Sequence, residues 1–255
     1  MKLYSRSSSQ IKVSQYGDPL AQHLTKSLIK HLDGVGTILE VGCGAGRTLL
    51  AVGKLGIPAT GLDPEPKAIK LAEQEAKRLN LDHLLKFMAA DYHFFAKSHR
   101  RQYDTVICSE VAEHIESPDQ LIATMYQLLA PGGKLIFTTP HDMAQWSILD
   151  EFGHHLRRFS QQDLVNLLSG FQIKKIYTVG FPFHRLTIWV YTHTRRLFGL
   201  HHGDHLSGYF FSRIYAPVTL WLLRFDDWFN HLKMGTTWIV VAQKPKLCIN
   251  WKSGV

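Results

Sequence analysis

Residues 38–46, with the sequence ILEVGCGAG, constrain the fold of this chain more than any other stretch. Apolar residues surround one acid at 38–41, a pattern typical of the end of a buried strand. Glycine then recurs at every second position, which permits positive φ and a close approach of the backbone to a ligand. Residues 47–55 follow with helical apolar spacing. This strand, glycine turn and helix predict an α/β sheet with a ligand at the carboxyl end of the strand.

Three interpretations of this turn are open, of which the simplest is a purely structural turn. A dinucleotide-binding turn has the pattern G-x-G-x-x-G and places pyrophosphate on the helix N-terminus. Here the third glycine comes one residue early, and Arg47 occupies the expected position. Glu40, Gly42, Gly44 and Gly46 fit the pattern h-h-E/D-x-G-x-G-x-G position for position. In this respect the run resembles the first motif of the class I S-adenosylmethionine-dependent methyltransferases.

Asp63 ends the second predicted strand, 57–63, which has the sequence IPATGLD. A carboxylate at this strand end can accept hydrogen bonds from both hydroxyl groups of a ribose. The resemblance assigns that role to Asp63 and implies that S-adenosyl-L-methionine is the cofactor. Pro64, directly after it, is a candidate cofactor contact as well. A capping role for Asp63 ahead of this proline is the alternative.

The ends of the third and fourth predicted strands supply further cofactor candidates. Asp91 and Tyr92 follow the third strand, where the resemblance implies contacts to the adenine. Asp91 could equally cap the helix that follows, and the two roles are compatible. Ser109 and Glu110 end the fourth strand, and the resemblance places Glu110 near the methionine end of the cofactor.

Acceptor-side candidates begin directly after the fourth strand. Residues 110–115, EVAEHI, resemble the E-x-x-E-H run of many small-molecule methyltransferases. The resemblance places Glu113 and His114 in the floor of the acceptor cavity. For His114, simple packing near a helix start is the alternative.

Two histidines are candidate bases. Residues 155–159, HLRRF, fit an H-x-R-R-aromatic run that a subset of the family carries. From this resemblance we take His155 as the first candidate base and Arg157 as an acceptor contact, with a structural histidine as the alternative. His141, after the fifth strand, is the second candidate base. A base matters only when the acceptor atom begins protonated, as in a phenol with a pKa of about 10.

The remaining pattern predicts seven strands alternating with helices. Together with the resemblance, it predicts an α/β, doubly wound, Rossmann-like methyltransferase sheet with an antiparallel last strand. Proline and two glycines at 131–133 predict a tight turn before the fifth strand. Strands are predicted at 38–41, 57–63, 84–90, 103–110, 134–140, 171–179 and 236–242, and helices at 19–32, 47–55, 65–79, 118–130, 185–198 and 208–232, the last kinked at Pro217.

The connection between the sixth and seventh strands is far longer than an ordinary loop. We therefore divide the chain into an N-terminal segment with a cap helix (1–36), a cofactor-binding core (37–180 plus 234–245) and an inserted helical cap (181–233). The leading helix either covers the cofactor pocket, as the resemblance implies, or packs on the sheet. The aromatic residues and arginines of the inserted cap suit either a lid over the acceptor site or a peripheral contact with anionic lipid.

Charge and cysteine content narrow the function classes. The net charge is +8, and residues 151–255 alone carry 13 basic and 5 acidic side chains. Such a bias indicates either an anionic partner or a solvated basic face. The three cysteines have no metal-ligand spacing, so we predict no metal site. The start lacks the apolar core of a signal peptide, and no apolar run has the length to cross a bilayer. We therefore expect a cytoplasmic protein, with a peripheral contact at the inner membrane face as the open alternative for the inserted cap.

The acceptor class is the least constrained part of the prediction. The D/N-P-P-aromatic motif of base-nitrogen methyltransferases is missing after the fourth strand, and the cysteine of cytosine-C5 enzymes is missing after the fifth, so no nucleic-acid partner is expected. The sequence predicts methylation of an oxygen on a lipophilic small molecule or a lipid-linked glycan, by direct in-line transfer. A non-catalytic cofactor-binding or scaffold protein is the alternative from another class, followed by an RNA methyltransferase. A homodimer is one expected assembly.

Overall fold

A seven-stranded sheet forms the centre of the protein. The computed structural model describes residues 19–32, 36–197 and 216–246. The strands are β1 (Ile38–Val41), β2 (Ala59–Asp63), β3 (Leu85–Ala89), β4 (Tyr103–Ser109), β5 (Leu129–Pro140), β6 (Gln172–Val179) and β7 (Thr237–Gln243). They lie in the order β3-β2-β1-β4-β5-β7-β6, and β7 runs antiparallel to both neighbours. The predicted Rossmann-like methyltransferase sheet with an antiparallel last strand is confirmed.

Helices cover both faces of this sheet. They are α1 (Pro19–Ile29), α2 (Arg47–Gly53), α3 (Pro66–Arg78), α4 (Tyr92–Ser98), α5 (Pro118–Leu128), α6 (Ile148–Gly153), α7 (Gln161–Leu167), α8 (Phe183–Leu197) and α9 (Ala216–Asp226). Short 3-10 turns occupy Ala112–His114, Met143–Gln145 and Asp227–Leu232. The predicted helix at 208–232 corresponds to α9 and the turn after it. Its first part, 208–215, lies outside the described residues.

The tight turn predicted at 131–133 is instead a bulge inside β5. The ladder pairs Tyr103 with Leu129 and next pairs Thr105 with Lys134, so β5 carries extra residues between these two pairs. Gly132 takes φ +79, a backbone conformation that glycine adopts without steric cost. Its carbonyl oxygen accepts a hydrogen bond from Gln243 at the end of β7. The extra residues therefore shift the pairing register of β5 against β4.

The leading helix α1 packs on the sheet and on its neighbours. Leu24 and Leu28 are buried in one of the two main core clusters. Thr25 accepts a hydrogen bond at 3.0 Å from Nε of Arg47, the first residue of α2. On the other side of α1, Nε2 of His23 lies 3.0 Å from Oδ1 of Asp227, a residue of the chain segment that connects β6 to β7. This helix therefore joins the start of α2, next to the glycine turn, to the inserted region.

The inserted region contains α8, α9 and a 3-10 turn. Asp226, at the end of α9, accepts hydrogen bonds from the backbone N–H groups of Phe183 and His184 at 2.8 and 3.0 Å. These bonds satisfy N–H groups at the start of α8, which have no partner within their own helix. They also tie the two inserted helices together at the carboxyl end of the sheet. Within 19–32, 36–197 and 216–246, no helix is long and apolar enough to cross a membrane.

Candidate functional site

Four backbone N–H groups of the glycine turn after β1 donate hydrogen bonds to other atoms of the protein. Gly42 and Cys43 both donate to the carbonyl oxygen of Leu62, at 2.8 and 2.9 Å. Gly46 donates to the carbonyl oxygen of Cys43, and Gly44 donates to Oδ2 of Asp63 at 2.8 Å. A pyrophosphate site needs such N–H groups to point at the ligand. These four are not available to a pyrophosphate.

Close packing explains why glycine occupies this turn. Gly42 and Gly46 take φ values of +75 and +81. A side chain at Gly42 would collide with Val111 after β4, and one at Gly46 would lie 2.8 Å from the ring of Phe87 in β3. The backbone of the turn therefore packs closely against side chains at the carboxyl edge of the sheet, where a residue with a Cβ would not fit.

Asp63 links the end of β2 to the glycine turn. Besides accepting from Gly44, its carboxylate accepts from the backbone N–H of Glu65 at 2.9 Å. Burial raises the pKa of Asp63, while these two hydrogen bonds oppose the shift. The cap of α3 is Glu65, whose side chain accepts from the N–H of Lys67. The carboxylate of Asp63 is thus held at the strand end, with Pro64 beside it, and its predicted ribose contact stays a prediction.

Asp91 caps α4, as one of its two alternatives anticipates. Its Oδ1 accepts from the N–H groups of His93 and Phe94 at 2.8 and 3.2 Å. No hydrogen bond joins its other oxygen, Oδ2, to a described residue, so that oxygen remains for the predicted adenine contact. Burial raises the pKa of the neighbouring Tyr92 to about 12, which keeps its phenol uncharged.

Glu40 is a buried carboxyl group with an unused oxygen. The residue is 3% exposed, and its Oε2 has no hydrogen-bond partner among the described residues. Burial raises the pKa of Glu40 to about 8, although a hydrogen bond with Thr48 lowers it in part. A buried acceptor without a partner costs free energy unless a ligand supplies a donor. The site therefore fits a cofactor that carries a cationic or hydrogen-donating group, such as the amino group of S-adenosylmethionine.

Glu110 is held at the end of β4 in an uncommon conformation. Its φ is +56, in the left-handed region that residues with a Cβ rarely adopt, and such positions cluster at functional sites. The hydroxyl of Thr138 in β5 donates to Oε1 of Glu110 at 2.9 Å. Because that hydroxyl has one proton, Ser109, 2.9 Å away, must donate to Thr138 in turn. The sequence did not single out Thr138, which lies inside an apolar strand.

Glu113 lies next to Glu110 and is fully buried, at 0% exposure. Thr139 donates to its Oε2 at 3.3 Å, while Oε1 has no partner among the described residues. Burial, with a further contribution from Glu110, raises the pKa of Glu113 well above its usual range. Two neighbouring buried acids of this kind do not ionise together easily.

His155 and Asp150 form a hydrogen-bonded pair beside these acids. Nδ1 of His155 lies 2.9 Å from Oδ1 of Asp150, which is fully buried. Arg158 donates to both oxygens of Asp150, at 2.7 and 2.9 Å. These bonds hold the pKa of Asp150 well below its usual range, although burial acts in the opposite direction. A carboxylate can only accept, so Nδ1 carries a proton and Nε2 is the nitrogen left to act as a base.

Sequence reasoning missed Asp150. The segment SILD at 147–150 forms a capping box, in which Ser147 and Asp150 bind each other's backbone. That pattern in the sequence could have located the start of α6. It carries no signal that the capping acid also binds His155 and Arg158.

Glu113, His114 and His155 converge at one place. The rings of His114 and His155 meet edge to face, with centroids 4.9 Å apart. Each of the three residues offers a metal-ligand atom, and these atoms lie within 4.8 Å of one another. A histidine of this cluster can accept the proton of a substrate hydroxyl group. The same three residue types could also bind a cation. The structure thus brings three predicted acceptor-side residues together.

His141 and Arg157 lie at the border of this cluster. Nδ1 of His141 is 2.8 Å from the carbonyl oxygen of Gly235, and burial lowers the pKa of His141. Its own carbonyl oxygen accepts from Arg158, which joins it to the Asp150 pair. Arg157 donates to the carbonyl oxygen of Glu116 at 3.1 Å, while its buried Nε has no partner among the described residues. Their catalytic and acceptor roles stay predictions.

Comparisons with known proteins identify the family. Residues 14–177 match the family described as a methyltransferase domain. The chain is 33% identical over 102 residues to a ubiquinone biosynthesis O-methyltransferase of Psychrobacter arcticus, a match that covers 40% of each protein. It thus spans about two-fifths of the length of this curated relative.

Solved structures show the same fold. A SAM-dependent methyltransferase from Archaeoglobus fulgidus superposes with a TM-score of 0.62, at 19% identity, over 94% of this chain and 100% of that one. The cyclase SpnF superposes with a TM-score of 0.61, at 23% identity, over 88% of this chain and 82% of that one. The family match covers more than half of the chain, and the sheet order and the glycine turn agree with it. The chain belongs to the class I S-adenosylmethionine-dependent methyltransferases.

Proposed function

We propose that this protein transfers a methyl group from S-adenosylmethionine to an oxygen atom of a lipophilic small molecule, such as a phenol. The observation that carries the proposal is the His155–Asp150 pair, which leaves one histidine nitrogen available beside Glu113. The curated relative acts, by its name, as an O-methyltransferase in ubiquinone biosynthesis, which supports an oxygen acceptor on a lipophilic ring. A lipid-linked glycan as acceptor stays a prediction from the sequence.

The cofactor, when bound, supplies a methyl group already activated on a sulfonium. The residues of this chain would hold it at the carboxyl edge of the sheet, with Glu40, Asp63, Asp91 and Glu110 as acceptors for its donor groups. Their chief contribution is alignment of the acceptor oxygen with the methyl group, for which correct positioning is worth roughly 7–11 kcal/mol.

His155 would take the proton of the acceptor hydroxyl at Nε2. Asp150 fixes the ring through Nδ1 and stabilises the imidazolium that results. Burial raises the pKa of Glu113, which lies beside His155, and so favours its uncharged form. A phenol with a pKa of about 10 needs only modest help from such a base.

A cavity of about 210 Å³ is lined in part by Ser147 and Arg158, which both bind Asp150, the partner of His155. Glu113, His114 and His155 are not among its lining residues. Trp146 and Trp189 line it together with Arg158 and Arg185. Aromatic walls with a few polar groups are typical of sites for small organic ligands. The lining therefore supports an acceptor with an aromatic ring.

The test is a methyl-transfer assay with methyl-labelled S-adenosylmethionine and a panel of catechols and hydroquinones with and without prenyl chains. We expect O-methylated product, identified by mass spectrometry, with higher kcat/KM for the lipophilic phenols. Product formation should persist in EDTA. Loss of activity in EDTA that added Mg²⁺ restores would show that transfer needs a cation, for which Glu113, His114 and His155 are the candidate ligands, and would overturn the base mechanism.

A non-methylating role is the second candidate. SpnF, a neighbour with the same fold, is a cyclase by its title. The present protein could bind the cofactor without transferring its methyl group. Cofactor binding without methylated product across the phenol panel would favour this role over the proposal.

A further inference from the structure

The outer side of the inserted helices carries large apolar side chains that face solvent. We call this set the aromatic face: the exposed Leu186, Val190, Val218, Trp221 and Trp228, and the half-buried Phe225. Trp221 and Trp228 are 56% and 72% exposed. The lid interpretation of the sequence expects such aromatic residues to be buried over the acceptor site. Trp221 and Trp228 are not buried, although Trp189 of the same region does line the cavity.

On α9 and the turn after it, the aromatic face is continuous. Here Val218, Trp221, Phe225 and Trp228 follow the spacing that places side chains on one side of a helix. The ring of Phe225 contacts that of Trp221 at 4.8 Å and that of Trp228 at 5.6 Å, both edge to face. It also approaches Phe183 of α8, with centroids 6.4 Å apart.

The opposite side of α9 is the one that packs against the protein. Thr219, Leu223 and Asp226 are buried, and Leu223 is 0% exposed. The helix thus shows apolar surface to solvent in addition to the surface it buries. A large aromatic side chain has roughly 150–250 Å² of surface, so Trp221 and Trp228 alone expose on the order of 250 Å². Contiguous apolar patches of a few hundred Å² mark interaction sites.

The charges around this face are positive. Arg185 and Arg224 are exposed, and no described acid forms an ion pair with Arg224. The two acids of residues 216–232 are both engaged: Asp226 is buried against backbone N–H groups, and Asp227 accepts from His23. Lysine and arginine beside exposed aromatic residues are the composition of surfaces that lie in a membrane interface.

We propose that the aromatic face binds an anionic lipid bilayer, with the tryptophans inserted among the headgroups and the arginines against lipid phosphates. Charge complementarity favours this occupant over a second copy of the chain, because two copies would bring their arginines together. Helix α8 contributes Leu186 and Val190 to the face and Arg185 and Trp189 to the cavity. Docking would therefore place the cavity close to the lipid surface. The binding itself does not depend on the acceptor proposed above.

The experiment is flotation of the full chain with vesicles of phosphatidylcholine alone and of phosphatidylcholine containing phosphatidylglycerol. We expect flotation with the anionic vesicles and little with the neutral ones. Trp221→Ser combined with Trp228→Ser should abolish it. Arg224→Glu should weaken it by about fivefold or more, the effect expected for one cation near an anionic surface. Because these side chains are exposed, the variants should keep the melting temperature of the parent protein.

Leu55→Ser and Lys54→Glu are matched controls, since both positions are exposed at the end of α2, away from the inserted helices. They should float as the parent protein does. Equal flotation with neutral and anionic vesicles, or flotation that the two serine substitutions leave unchanged, would overturn the proposal. So would a concentration-dependent dimer that these same substitutions dissociate, because the face would then be a protein interface.

Discussion

Nδ1 of His155 lies 2.9 Å from Oδ1 of Asp150, and the same carboxylate accepts two hydrogen bonds from Arg158. The buried acid therefore orients the candidate base and neutralises a buried guanidinium. In this chain the run HLRRF therefore has a structural role: His155 and Arg158, three residues apart, both bind one acid of the preceding helix.

Asp150→Ala should lower the free energy of unfolding by about 3–5 kcal/mol, because it leaves the buried guanidinium of Arg158 without its carboxylate partner. Urea denaturation measures the loss. Glu151→Ala changes the exposed acid next to it and should cost less than 1 kcal/mol. A similar small loss for Asp150→Ala would mean that the Arg158 pair contributes little to stability.

His155→Ala should reduce kcat by about 10²- to 10⁴-fold, the usual contribution of a positioned base. The affinity for S-adenosylhomocysteine should stay the same, since the residue belongs to the acceptor side. His83→Ala, at an exposed position before β3, is the control. An unaltered rate would make His155 structural and direct attention to His141.

Cofactor binding should release protons at pH 7 because of Glu40. Its pKa of about 8 means that the free protein holds this carboxyl group mostly protonated. A cationic amino group bound against the carboxylate would lower that pKa, so a proton must leave. The affinity for S-adenosylhomocysteine should therefore rise as the pH increases from about 6 to 8.

Calorimetry in buffers with different ionisation enthalpies measures this proton release. Glu40→Gln has no proton to lose and should bind more weakly, with no release from this site. Equal heats in all buffers for the parent protein would show that no cationic group of the cofactor reaches Glu40.

Asp63→Ala should weaken binding of S-adenosylhomocysteine by roughly 1–3 kcal/mol, the value of hydrogen bonds to a charged partner. The substitution also removes the acceptor of the Gly44 N–H, so the turn loses one of its fixed contacts. Glu65→Ala, which removes the cap of α3, should cost stability but not affinity. An unchanged dissociation constant for a folded Asp63→Ala protein would remove Asp63 from the site.

The sequence, with the family resemblance of its motifs, was sufficient for the sheet. Alternation of apolar strands with helices predicts an α/β sheet, and the resemblance implies its antiparallel last strand. Residues at the carboxyl ends of parallel strands lie at one edge of a sheet, as Glu40, Asp63 and Glu110 do. The bulge at Gly132 was not predictable, because a proline-glycine pair is equally typical of a turn.

The polar contacts within the site could not be predicted from the sequence. Thr138 and Thr139 support Glu110 and Glu113 from a neighbouring strand, far away in the chain. Asp150 reaches His155 because a short helix places it there. Such pairs depend on tertiary packing, and a single sequence contains no periodic signal for them.

The central claim is that the glycine turn and the acids around it form an S-adenosylmethionine site, and calorimetry tests it most directly. S-adenosylhomocysteine and NAD should be titrated separately into the parent protein. We expect saturable binding of S-adenosylhomocysteine at one site per chain and no binding of NAD, because the N–H groups of Gly42, Cys43, Gly44 and Gly46 are already bonded within the protein. Binding of NAD with no heat from S-adenosylhomocysteine would contradict the account.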